Sequence, residues 1–120
     1  MRSAALLFLI ATSCAKHAPE GTPEEVTAKY FKALGAGDCA GITANSSGSL
    51  ANEIADAGCA VSLEEAKSHG LVFVAAENLR VDGRDPNARL IDVRLSADGK
   101  EKKIIARLEQ VGSAWKVVKL

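Results

Sequence analysis

The chain is predicted to be an α+β domain, with N-terminal helices packed on an antiparallel sheet of three to four strands. Three observations carry this. Apolar residues recur at three- and four-residue spacing through the first half and at two-residue spacing through the second. The first half holds two capping boxes and several glycine stops. The second holds Asp98-Gly99, a hairpin signal set between alternating runs. Helices first and strands after is the α+β order.

The helices follow in turn. Thr22-Pro23-Glu24-Glu25 is a capping box with Pro at the first helical position, so Thr22 accepts from the Glu25 N–H and the Glu25 side chain reaches back. Val26, Tyr30, Ala33 and Leu34 then form one apolar stripe, and Gly35 and Gly37 end it. Asp38 caps a second short helix running through Ile42. Asn45-Ser46-Ser47-Gly48 is a turn cluster. Leu50, Ile54 and Ala57 predict a third helix, stopped by Gly58. Ser62-Leu63-Glu64-Glu65, the second capping box, predicts a fourth helix that stops at Gly70 with His69 in its last turn.

The strands come next. Leu71 to Ala76 is a β-rich apolar run that can continue to Val81. Asp82-Gly83 and Asp85-Pro86-Asn87 form a turn or loop. From Leu90 to Leu95, Ile91, Val93 and Leu95 share one face against Asp92 and Arg94 on the other. After Asp98-Gly99, the strand Lys103–Val111 places Ile104, Ala106 and Leu108 on one face. Gly112-Ser113 turns the chain again, and the run from Trp115 to Leu120 closes it.

The first residues are an address. Arg2 precedes an uncharged apolar run from Ala4 to Ala11, far short of the roughly 20 residues needed to span a bilayer. Ala11, Thr12 and Ser13 lead directly into Cys14, an arrangement that resembles the lipobox of bacterial lipoproteins. The resemblance implies cleavage before Cys14 and lipid on its sulfur. The expected organisation is a signal peptide over 1–13, the lipidated Cys14 with a flexible tether over 14–21, and a single α+β domain over 22–120. The location implied is the bacterial cell envelope, on its extracytoplasmic side. The alternative is an ordinary cleaved signal with a chance cysteine.

Composition narrows the function. Fifteen basic residues balance 15 acidic ones among 120. Loss of Arg2 with the signal leaves 14 against 15, a net charge of −1. A nucleic-acid binder carries a basic excess, so nucleic acid is not an expected partner. Aromatic residues are only 4%, too few for a base-stacking platform. With Cys14 lipidated, Cys39 and Cys59 remain as an even pair in an exported domain, which predicts a disulfide; the alternative is two buried free thiols. No C-x-x-C, phosphate-cradling glycine loop, nucleophile elbow or clustered set of metal ligands is present, so no cofactor or metal is expected.

The segment Tyr30-Phe31-Lys32-Ala33-Leu34-Gly35-Ala36-Gly37-Asp38, with Ile42 after it and the Thr22 capping box before it, resembles the first helices of the nuclear transport factor 2-like superfamily, which includes the ketosteroid isomerases. Gly112-Ser113-Ala114-Trp115-Lys116-Val117 is similar to that family's last strand. The resemblance implies a cone, in which a curved sheet wraps the first helices around a cavity. It also places Tyr30 where the isomerases carry an oxyanion-hole tyrosine. That chemistry needs a carboxylate base as well, and Ala44 to Ser49 supplies no acid.

Each candidate has a plain structural reading beside the functional one. Tyr30 is either a core aromatic or a proton donor, with Asp56 or His69 as its partner. His69 suits a helix C-terminus through the dipole as well as it suits a general base. Trp115 is either a core anchor or a partner contact. The reading these support is a membrane-anchored lipoprotein whose domain binds a small apolar ligand or another envelope protein without catalysis. The rivals are an accessory subunit that pairs through a sheet edge near Leu71 or Leu120, and an isomerase- or dehydratase-like enzyme built on Tyr30.

Overall fold

The structure is a computed structural model, and it describes residues 21–120. The expected signal peptide, Cys14 and all of the expected tether except Gly21 lie outside the described residues. Four helices come first: α1 (Pro23–Ala36), α2 (Cys39–Ala44), α3 (Gly48–Ala57) and α4 (Cys59–Ser68). Four strands follow: β1 (Val72–Asp82), β2 (Asp85–Ala97), β3 (Lys100–Val111) and β4 (Ala114–Lys119). They form one antiparallel sheet in the order β1-β2-β3-β4. No helix among the described residues is long and apolar enough to cross a membrane.

α1 starts and stops as its residues dictate. Thr22 accepts from the Glu25 N–H at 3.1 Å, and the Glu25 carboxylate accepts from the Thr22 N–H at 2.9 Å. The helix runs through Gly35 and ends at Gly37, whose φ of 75° is the left-handed conformation that a C-cap requires. Gly35 is therefore not a stop. A Cβ there would lie 3.1 Å from the Leu71 carbonyl oxygen, so this glycine lets α1 approach the chain entering β1.

α4 departs from expectation at its start. It begins at Cys59, with Gly58 as N-cap, and no side chain caps it. The Ser62 box does not form, because Ser62 already lies inside the helix. The Cys39–Cys59 disulfide joins the first residue of α4 to the first residue of α2, with Cα atoms 6.0 Å apart.

The strands also run longer than their alternating cores. β2 begins at Asp85, which pairs with Asp82, instead of at Leu90. Arg89 is the next residue of β2 to pair with β1, opposite Val81, so Pro86, which has no N–H to donate, stays out of that ladder. β3 begins at Lys100, directly after the two-residue turn. Asp98 and Gly99 both have positive φ, 55° and 75°, as a type I′ hairpin turn requires.

The core lies between the helices and one face of the sheet. Ile91, Val93, Ala106, Leu108 and Val117 are fully buried there, against Val26, Tyr30, Phe31 and Ile42. Phe31 is its centre. It meets Tyr30 edge-on at 5.0 Å and stacks on Phe73 at 6.4 Å. The opposite face of the sheet is laced with charge. Arg94 bridges Glu77 and Glu101, and Arg107 reaches Asp82, Asp85 and Glu109. Asp92 is 8% exposed and accepts from the Asn78 amide and from Arg80. The Asn78 hydrogen bond, aided by Arg80 and Lys103 and opposed by burial, holds the Asp92 carboxyl below its ordinary range.

The two sheet edges are finished differently. β1 carries irregular pairing after Phe73 and again between Glu77 and Arg80, where Asn78 takes a φ of 57°. Such bulges bend a strand and spoil its edge for pairing. β4 is covered partway along by the chain between α2 and α3. Ser47 donates to the Val117 carbonyl at 3.0 Å, and the Val117 N–H donates to Asn45 at 2.9 Å.

Candidate functional site

Three helices and one end of the sheet leave a space between them. The cavity measures about 530 Å³, within the range of small-ligand pockets. α1 contributes Tyr30, Phe31 and Leu34; α3 contributes Leu50, Glu53, Ile54 and Ala57. α4 supplies Val61, Ser62, Glu65 and Ala66, followed by its C-cap His69. Leu71, Leu95, Ala97, Lys102 and Leu120 complete the wall. Most of these side chains are aliphatic, as the scarcity of aromatics dictates.

Tyr30 is 2% exposed, yet it lines this cavity. Burial, with a smaller contribution from the Glu53 charge, pushes its phenol up to about 12. The hydroxyl therefore keeps its proton at neutral pH. Its oxygen has no hydrogen-bond partner among the described residues. A protonated phenol facing a cavity can both donate and accept one hydrogen bond to an occupant.

His69 lines the same cavity, but its ring is engaged. Nδ1 lies 2.8 Å from an Asp98 carboxylate oxygen, and the Asp98 N–H donates to the His69 carbonyl. The end of α4 is thereby tied to the β2–β3 turn. Both side chains are about half exposed, at 53% and 55%, so this is a surface contact.

The structure brings Tyr30 and His69 to one cavity and leaves Asp56 outside it. Asp56 is exposed and absent from the cavity wall. The carboxylates that do line the cavity are Glu53 and Glu65. Neither has an ion-pair partner among the described residues. Spacing could have found Glu53. At about 100° per residue it sits beside the Leu50, Ile54 and Ala57 stripe, whereas Asp56 points well away.

Trp115 lies on the core side at the other end of the sheet. It is 8% exposed, and the Arg89 guanidinium stands 5.1 Å over its ring. That burial fits a core anchor. Among the described residues no group of three His, Cys, Asp or Glu is placed to hold a metal ion. Comparison with family models, curated proteins and solved structures found no match for this chain.

Proposed function

We propose that this chain is an exported lipoprotein of the bacterial cell envelope, anchored through Cys14, whose domain holds a small apolar ligand without transforming it. The finer fold reading belongs to the same proposal: a cone of the nuclear transport factor 2-like type, with the cavity as its mouth. The single observation that supports ligand binding is the aliphatic cavity of about 530 Å³ framed by α1, α3, α4 and the sheet. Its walls are built by side chains from five separate elements, so it is a product of the fold and not of one loop. Its polar groups are outnumbered by aliphatic ones, as suits orientation of a ligand.

The reading is tested with an uncharged naphthylamine fluorophore titrated into the purified protein. One saturable site is expected. Ala57→Trp, which places a large ring in the cavity wall, should abolish it. A titration unchanged by Ala57→Trp would remove the cavity from the function. The anchor is tested separately: Cys14→Ser should move the protein from the membrane to the soluble fraction, since two or more acyl chains are what hold such a domain on a bilayer.

A further inference from the structure

The ligand proposed above has an apolar body; the polar groups of the cavity specify its other end. Glu53 from α3 and Glu65 from α4 both line the cavity, and neither has an ion-pair partner among the described residues. Carboxylates only accept hydrogen bonds. The third group is the Tyr30 hydroxyl, on a side chain 2% exposed and without a partner among the described residues. Its oxygen can accept as well. An occupant that satisfies all three must donate. Lys102, the one lysine in the wall, stands on the facing strand β3, so the two carboxylates outnumber it.

We propose that the cavity takes an apolar molecule bearing a protonated amine, with its ammonium held between Glu53 and Glu65 and in reach of the Tyr30 hydroxyl. An ammonium presents three donors and no acceptor, which matches two carboxylates and a phenol oxygen. A ligand carboxylate would instead bring a third negative charge beside the two exposed carboxylates, which like charges resist. A hydroxyl end would satisfy one acceptor and leave the others bare. The site thus discriminates by charge at one end and by shape along the rest.

This inference rests on the ligand-holding reading, and one calorimetric series separates the two. Decylammonium, decanol and decanoate share an alkyl chain and differ only in the end group. Decylammonium should bind about tenfold more tightly than decanoate, a gap worth about 1.4 kcal/mol. Glu53→Gln should remove most of that advantage and leave decanol binding unchanged, which also reports that the variant is folded. Glu65→Gln is the second variant, with the same expectation. Lys102→Gln should tighten decylammonium binding and weaken decanoate binding. Decanoate binding as tightly as decylammonium, or an ammonium affinity unmoved by both Glu variants, would overturn the amine assignment while leaving the cavity as a ligand site. Failure of all three compounds to bind would overturn the ligand-holding function itself.

Discussion

Helix α1 lies against the sheet and α4 against the other helices, and the two are held in place by different means. α1 has a complete capping box, a proline in its first turn and six buried residues. α4 has no side-chain cap and buries only Ala66. What α4 has instead are ties at its two ends, a disulfide to α2 and a contact from His69 to Asp98. One helix is a piece of the core. The other is a wall strapped over a space. A cavity in a small domain needs such a wall, because a helix packed as closely as α1 would fill the space it encloses.

The contrast can be broken at its strong side first. Phe31→Ala empties the contact between Tyr30 and Phe73 and should cost about 3–5 kcal/mol in urea unfolding. A loss under about 1 kcal/mol would mean that α1 is not the centre of the core. Also on α1, Tyr30 is the sole tyrosine, so its titration can be followed directly. Its phenolate absorbance should appear with a midpoint near 12 instead of 10. The folded chain holds this proton more tightly than the unfolded chain does. The associated stability is therefore complete below pH 10 and lost as pH rises toward 12, on the order of 3 kcal/mol in all. A midpoint near 10 would show that the phenol is open to water.

The next test falls on α4. Replacing Cys39 and Cys59 together by Ser opens a tie across a sequence separation of 20 and should cost about 3 kcal/mol. Amide exchange should quicken across Cys59–Ser68 and stay slow across α1. Equal quickening in both helices would erase the distinction between core and wall. The smallest effect belongs to His69→Ala. Its partner contact is half exposed, so the loss should be about 0.5 kcal/mol or less and should shrink with added salt.

The same contrast explains what could be read from the residues alone. α1 was legible because its signals are local: Thr22 to Glu25 is a self-contained cap, and Gly37 needs only its own backbone angle. The start of α4 was not. Ser62 to Glu65 has the letters of a cap, but Cys59 is held to α2 from outside the helix, and Gly58, at a φ of 84°, turns the chain four residues earlier. The strand cores around Ile91 and Leu108 were legible from alternation. The early start of β2 was not, since Pro86 hides pairing that only Asp82 reveals. At the site, Tyr30 and His69 were picked out by residue type. Glu53 was within reach of the spacing of its helix, whereas Glu65 became a cavity residue only through the way α3 and α4 face one another.

The pairing of Asn45 and Ser47 with Val117 has a consequence in time. The Lys116 amine also reaches the Ala44 carbonyl, 72 positions away in the chain, and the Ser49 hydroxyl reaches the Val118 carbonyl, 69 away. The ribosome therefore makes the link between α2 and α3 long before it makes the strand that link rests on. Until β4 emerges, that link and the apolar face of α3 have no strand to close against, and they must wait. Contacts so distant in sequence slow folding and lengthen exposure to aggregation. Loss of the final strand would then be felt first among the early helices, far from the deleted codons.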